Sequence, residues 1–198
     1  MPEPPVSKGE SAPDVEPGPG PESEPEAAPR PRLARLASDE PAPSRPVALV
    51  AAEAPPRTKP SNYPEPFASR MAGRTKRVLG DAFGLASFGV NHVTLAPGAA
   101  SALHHRHGVQ DEFVHVLSGE VVLVHDAGET LLRAGMCAGF AHGATAHHLV
   151  NRSDADATYL EVGDRAPGDA AEYPRDDLRA EKDAHGAWRF TRKDGTPY

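Results

Sequence analysis

The sequence predicts an all-β fold of the sandwich or barrel type, and three observations support this prediction. From Leu85 onward, short apolar or alternating runs recur about every ten residues, as is typical of sandwiches and barrels. The pieces between them, such as Pro97-Gly98 and Ser118-Gly119, are rich in residues that favour turns. No stretch of this region has a long run of helical period that would compete with strands.

Seven strands are predicted in this region, each short and bounded by turn residues. They are Leu85 to Leu95, Glu112 to Leu117, Val121 to His125, Thr130 to Leu132, Cys137 to Phe140, His147 to Asn151 and Thr158 to Val162. A brief surface helix is expected at Asp176 to Asp183, and one more strand at Gly186 to Phe190.

Proline divides the chain into segments of different character. Of 22 prolines, 18 lie at or before Pro66, which rules out a continuous helix or a central strand there. Residues 1–45 are therefore predicted to be disordered. Residues 46–84 are predicted to form an arm that packs on the β domain. This arm contains a strand-length apolar run at Val47 to Ala52, and its stretch 57–67, broken by prolines, is expected to wrap around the outside of the domain. The domain itself spans 85–165, followed by a C-terminal extension, 166–198.

Charge and composition exclude several classes of partner. The formal net charge is −7, and the basic residues are scattered without aromatic neighbours, so nucleic acid is not expected as a partner. The amino terminus lacks a signal-peptide pattern and no segment has the apolar length of a membrane span, which predicts a cytoplasmic protein. The single cysteine, Cys137, excludes an intrachain disulfide and is expected to be a small buried apolar residue.

Histidines are concentrated in the predicted β domain, where eight of the ten lie between His104 and His148. In a strand, residues i and i+2 share a face, so His105 and His107 can both point inward. Glu112 opens the next strand, with Val114 and Val116 in phase with it. His147 would add a third imidazole from another strand.

Three imidazoles and one carboxylate are ligands that suit a divalent first-row metal. Such a set leaves open positions on Fe²⁺, Mn²⁺, Ni²⁺ or Zn²⁺, whereas structural zinc sites usually contain cysteines and are closed. A metal with open positions can polarise a carbonyl, lower the pKa of a bound water or, if it is iron, activate dioxygen. His105, His107, Glu112 and His147 are therefore the predicted metal ligands.

The same residues resemble the two sequence motifs of the cupin superfamily. Gly98, His105, His107, Glu112 and Gly119 match the first motif, with six residues rather than five between Gly98 and His105. Gly135, Gly143, His147 and Asn151 match the second, with Ala141 in place of the usual proline and one extra residue before His147. The resemblance covers about Leu85 to Val162 and implies a cupin-type double-stranded β-helix, or jelly-roll barrel.

Neighbouring residues leave alternatives open at two ligand positions. Reading His104 as the first ligand restores the motif spacing but would pair it with Arg106, which cannot bind a metal. His147 is preferred to His148 because it keeps the three-residue gap to Asn151. His104 and His148 are expected to face outward or to support the ligands.

The substrate contacts are less constrained by the sequence. Asn91 or His92, depending on the phase of their strand, is expected to enter the pocket. Tyr159 is the candidate for proton transfer, or else packs in the core.

The leading hypothesis is a metalloenzyme that acts on a small polar or oxyanionic molecule as a dioxygenase, isomerase or lyase. The alternative is a module that binds or senses a small ligand without turnover, with a regulatory role through a partner. The cupin resemblance also implies a homodimer formed by sheet-to-sheet contact, with Val47 to Ala52 as the expected strand edge.

Overall fold

The structure, a computed structural model, describes residues 45–59, 61–183 and 185–198. The predicted disorder of residues 1–45 therefore falls, apart from residue 45, outside the described residues. The strands are β1 Arg74–Val78, β2 Phe88–Leu95, β3 Arg106–His107, β4 Glu112–Ser118, β5 Glu120–His125, β6 Gly128–Arg133, β7 Cys137–Phe140, β8 His147–Val150, β9 Ala157–Asp164, β10 Ala170–Tyr173, β11 Leu178–Lys182 and β12 Trp188–Thr191.

Helices are short in the described residues. The α-helix α1, Leu79–Phe83, joins β1 to β2, and two 3₁₀ helices span Ala51–Glu53 and Ser69–Met71. None of these helices has the length and apolar character needed to cross a bilayer.

The strands form three antiparallel sheets. A five-stranded sheet has the order β1-β2-β9-β4-β7, a four-stranded sheet the order β12-β11-β10-β3, and a three-stranded sheet the order β6-β5-β8. An isolated bridge between His105 and His147 connects the edge of the four-stranded sheet to that of the three-stranded sheet. The predicted all-β, cupin-type jelly roll is confirmed.

Side chains that alternate between the inner and outer faces of the five-stranded sheet form the main core. Val93 of β2, Val116 of β4 and Tyr159 of β9 are fully buried and lie side by side, because Val93 pairs with Tyr159 and Tyr159 with Val116. Leu123 and Leu149 complete this core from the three-stranded sheet. Since side chains alternate between faces, every second residue from these positions also points inward.

A second apolar cluster fills the space behind the four-stranded sheet. Leu178 and Ala180 of β11 are buried, together with Tyr173 of β10. Phe67 and Met71, from the segment that precedes β1, pack into the same cluster. The proline-rich arm is thus anchored to the carboxy-terminal strands.

Most predicted strands are present with small shifts of their bounds. Cys137–Phe140 has the predicted bounds, and the predicted Leu85 to Leu95 is reduced to Phe88–Leu95. The reason for the shorter strand is α1, which ends at Gly84 with φ of 71°, a left-handed conformation that favours glycine.

Three expectations were wrong. The expected helix at Asp176 to Asp183 is instead strand β11, in which Leu178 and Ala180 alternate with exposed charged residues. Val47 to Ala52 forms no strand, so it offers no sheet edge for a dimer. Cys137 is exposed rather than buried, because it lies on the outer face of β7.

Gly119 shows why a motif glycine is needed between β4 and β5. Its φ is +70°, and a Cβ atom there would lie 2.8 Å from the carbonyl oxygen of Asp156. A side chain at this position would therefore clash with backbone in addition to being strained.

Candidate metal centre

Three of the four predicted ligand residues come from strands of different sheets. Glu112 begins β4 in the five-stranded sheet, His107 ends β3 in the four-stranded sheet, and His147 begins β8 in the three-stranded sheet. His105 is held against His147 by two backbone hydrogen bonds, of 3.1 and 2.8 Å. The four side chains therefore meet where the three sheets approach one another.

One carboxylate oxygen, Glu112 Oε2, lies at the centre of this group. The Nε2 atoms of His105 and His107 are each 3.6 Å from it, and that of His147 is 3.3 Å away. The potential ligand atoms of His105, His107 and Glu112 all lie within 4.8 Å of one another, as a shared metal ion would require.

Hydrogen bonds at the other ring nitrogens determine how the imidazoles are protonated. His105 Nδ1 lies 2.9 Å from the carbonyl oxygen of Leu103, and His147 Nδ1 lies 3.4 Å from that of Thr145. Carbonyl oxygens only accept hydrogen bonds, so each Nδ1 carries the proton. The Nε2 lone pairs then point at Glu112, which is the arrangement of a metal-binding histidine.

Asp169 orients His107 in the same way. Its Oδ2 lies 2.6 Å from His107 Nδ1, while its Oδ1 accepts backbone N–H groups from Val109 and Gln110 at 3.1 and 3.3 Å. Burial would lower the pKa of His107, but the carboxylates of Asp169 and Glu112 raise it above its usual value. Sequence reasoning missed Asp169 because it lies 62 residues after His107 and outside both motifs.

Glu112 Oε2 is buried and has no hydrogen-bond donor among the described residues. Burial would raise the pKa of the Glu112 carboxyl, but hydrogen bonds from His105 and His147 and the positive charge of His105 and His107, in the protonated form of these imidazoles, hold that pKa well below its usual range. When the imidazoles are neutral and carry their proton on Nδ1, three Nε2 lone pairs face this ionised oxygen, which is unfavourable without a positive charge between them. A divalent cation bound by His105, His107 and Glu112 fits that requirement, and His147 Nε2 lies 3.3 Å from the same carboxylate oxygen.

The neighbouring histidines that were weighed as alternative ligands lie elsewhere. His104 and His148 face each other, with Nδ1 atoms 3.2 Å apart, and His104 Nε2 is 3.0 Å from Asp126 Oδ1. Burial and the nearby His104 lower the pKa of His148 to about 4. Of each adjacent pair, His105 and His147 are therefore the members whose Nε2 atoms approach Glu112.

The four residues border a cavity of about 300 Å³, a size at the lower end of the range for small-molecule sites. Asn91 lines this cavity and donates from Nδ2 to Glu161 Oε1 at 2.9 Å. His92, its neighbour on β2, is buried on the opposite face of the strand, where it pairs with Arg77 of β1. The phase of β2 thus selects Asn91 as the residue that faces the cavity.

Tyr159 also borders the cavity, but its side chain is fully buried in the main core. Burial, together with the charge of Glu161, raises the pKa of the phenol well above its usual value. The hydroxyl therefore stays protonated at neutral pH, where it is too weak an acid to donate its proton readily and can instead donate a hydrogen bond.

Charged residues from β1, β9 and the arm line the same cavity. Lys76 Nζ lies 2.6 Å from Glu161 Oε1, and the side chains of both are largely buried. Arg57 and Arg74 border the cavity beside them. Part of the stretch 57–67, which was expected to wrap around the outside of the domain, therefore faces the cavity. Strand β1 was not predicted from the sequence because it contains no apolar run.

Comparisons with known proteins agree with this architecture. The family model described as a cupin domain matches residues 91–163. A crystal structure of a sugar phosphate isomerase of the cupin superfamily from Silicibacter pomeroyi is 47% identical, with a TM-score of 0.72, over 76% of this chain and 96% of that chain. A candidate sugar phosphate isomerase from Acidithiobacillus ferrooxidans is 29% identical, with a TM-score of 0.58, over 63% of this chain and 80% of that chain.

The search among curated proteins gave no match. The family match, residues 91–163, spans both motif histidine groups, and the first crystal structure covers 96% of its own length at 47% identity. The chain belongs to the cupin superfamily.

Proposed function

We propose that this protein is a metal-dependent cupin enzyme that isomerises a small phosphorylated sugar. His105, His107, Glu112 and His147 would hold one divalent first-row metal. The observation that carries the proposal is the approach of three imidazole Nε2 atoms to a single buried carboxylate oxygen that lacks a donor among the described residues.

The similarity to a sugar phosphate isomerase from Silicibacter pomeroyi supports the choice of reaction. Isomerisation of a sugar requires a proton to move between adjacent carbons while a neighbouring carbonyl is polarised. The bound metal would supply Lewis-acid polarisation of that carbonyl.

The residues of the chain would divide the remaining tasks. Asn91 would donate to a substrate hydroxyl or carbonyl from the β2 wall. The carboxylate of Glu161, held by Lys76 and Asn91, is available as a proton acceptor within the same cavity. Tyr159, protonated at neutral pH, would donate a hydrogen bond to the substrate rather than a proton.

A direct test combines metal analysis with a substrate screen. His107→Ala should reduce the metal content of the purified protein and abolish turnover, whereas His115→Ala, on the outer face of β4, should leave both unchanged. Unchanged metal content in His107→Ala would contradict the proposed centre.

The screen itself would use Fe²⁺, Mn²⁺, Ni²⁺ and Zn²⁺ with a panel of aldose and ketose phosphates, monitored by NMR. Interconversion of an aldose and a ketose phosphate is the expected result. Oxygen uptake would instead indicate a dioxygenase, and saturable binding without turnover would favour the non-catalytic module.

A further inference from the structure

The β1 side of the cavity carries a cluster of cations that the proposed metal centre does not use. Arg74 and Lys76 occupy inward positions of β1, and the backbone N–H of Arg57 donates to the carbonyl oxygen of Lys76 at 2.8 Å. Three basic side chains from two segments therefore border one end of the cavity.

Arg74 donates a hydrogen bond to the carbonyl oxygen of Ser101, while Lys76 and Arg57 differ in how they are balanced by nearby acid. Lys76 is paired with Glu161 at 2.6 Å. Arg57 forms no ion pair with any carboxylate in the described part of the chain, and its guanidinium makes one hydrogen bond there, from Nε to the carbonyl oxygen of Lys59 at 2.6 Å. The Nη groups of Arg57 thus retain their hydrogen-bonding capacity.

The two arginines also repel each other in a partly desolvated place. Burial is the main cause that lowers the pKa of Arg57, the positive charge of Arg74 lowers it further, and the negative charge of Glu161 opposes both. An anion bound between the two guanidinium groups would relieve the part of their repulsion that Glu161 does not offset.

We infer that Arg57, together with Arg74 and Lys76, forms a subsite for a phosphate monoester of the substrate. A guanidinium presents planar paired donors that match phosphate oxygens, which makes arginine well suited to this role. The inference rests on the proposed function in taking the phosphoryl group to be part of the same molecule that reacts at the metal centre.

The position of the subsite agrees with a substrate that spans the cavity. Strands β2 and β9 separate β1 from β4, which places the backbones of Lys76 and Glu112 at least about 14 Å apart at three strand spacings. Long side chains from β1 shorten this gap. Asn91 and Glu161 lie on the two intervening strands, where the carbon chain of the substrate would pass.

The first experiment measures binding of inorganic phosphate to the full-length, metal-loaded protein by calorimetry. Arg57→Gln should raise the dissociation constant by about ten- to a hundredfold, since hydrogen bonds to charged groups contribute about 1.5–3 kcal/mol. Arg133→Gln is the matched control, because Arg133 lies on an exposed face of β6 and pairs with Glu120. An equal dissociation constant in Arg57→Gln and wild type, or no phosphate binding by wild type, would overturn the inference.

A second arm separates the subsite from the metal. Phosphate binding should persist in protein stripped with a chelator, and should still weaken in Arg57→Gln. Loss of binding on metal removal, with no effect of Arg57→Gln, would mean that the anion binds the metal and would overturn the subsite. Arg57→Lys, which keeps the charge but loses the paired donors, should fall between Gln and wild type.

The outcomes also distinguish the subsite from the reaction. Phosphate binding that depends on Arg57, without turnover of any sugar phosphate, would leave the subsite standing and refute the isomerase. Turnover with an unchanged KM in Arg57→Gln would refute the subsite and leave the isomerase standing.

Discussion

His107 Nδ1 and Asp169 Oδ2 lie 2.6 Å apart, and the Asp169 side chain is completely buried. This contact joins a predicted metal ligand to Asp169, which lies just beyond residue 165, the predicted end of the barrel domain. The carboxylate accepts a hydrogen bond from Nδ1–H, and this contact holds the imidazole ring with its Nε2 towards Glu112.

Asp169→Asn is expected to weaken metal binding by about 10–100-fold, as is typical when a partner of a ligating histidine is changed. The amide removes the negative charge and can present an N–H group to His107. Metal titration followed by a chromogenic competitor measures the affinity. Asp154→Asn, an exposed carboxylate on the β8–β9 turn, is the control, and an affinity equal to wild type in Asp169→Asn would contradict the orienting role.

The adjacent histidines at the start of β8 provide an internal comparison. His147→Ala should lose bound metal, because its Nε2 is 3.3 Å from Glu112 Oε2, whereas His148→Ala should retain it. Elemental analysis of both purified variants decides between them. Metal loss in His148→Ala with retention in His147→Ala would reverse the assignment of the ligand.

Metal removal should lower thermal stability. A ligand present at one hundred times its dissociation constant stabilises the folded state by about 2.7 kcal/mol, which corresponds to a fall of about 5–10 °C in Tm on chelation. In Glu112→Gln the chelator should change Tm little, because this variant lacks the anionic ligand and should bind little metal. Scanning calorimetry measures both, and an equal shift in the variant would argue that the metal binds elsewhere.

The half-buried His148 should make the metal-free protein sensitive to acid. Burial and the nearby His104 lower the pKa of His148 from 6.5 to about 4, so the unfolded chain takes up a proton before the folded one does. The free energy of unfolding should therefore fall as the pH falls from about 6.5 to about 4, by about 1–2 kcal/mol after solvent screening of this partly exposed group.

Urea unfolding of the metal-free protein at several pH values tests this expectation. His148→Gln should flatten the dependence over that interval, while His115→Gln should leave it intact. A curve for His148→Gln that parallels wild type would show that other groups cause the acid sensitivity.

The sequence was most informative where turn residues and alternation coincide. Gly119 and the runs on either side of it led to β4 and β5 almost residue for residue. The spacing of His105, His107 and Glu112 likewise led to the group that meets at the cavity, because a period of two places i and i+2 on one face.

The parts that could not be predicted lack such a period or come from distant segments. β11 is rich in Arg, Glu and Lys, which suggested a helix, and only burial of Leu178 and Ala180 reveals the strand. β1 has no apolar run before Val78, and Arg57 lies in an arm broken by prolines, so nothing local marked either as part of the cavity wall. The expected homodimer and cytoplasmic location stay predictions.

The reciprocal backbone hydrogen bonds between His105 and His147 have a consequence for how the centre would lose and rebind a metal ion. The backbones that carry these two imidazoles are hydrogen-bonded to each other independently of any ion, whereas Glu112 belongs to the five-stranded sheet. Withdrawal of the ion should therefore let the opposing sheets part slightly while the histidine pair keeps its form. Reloading would then be fast, since only the carboxylate has to return.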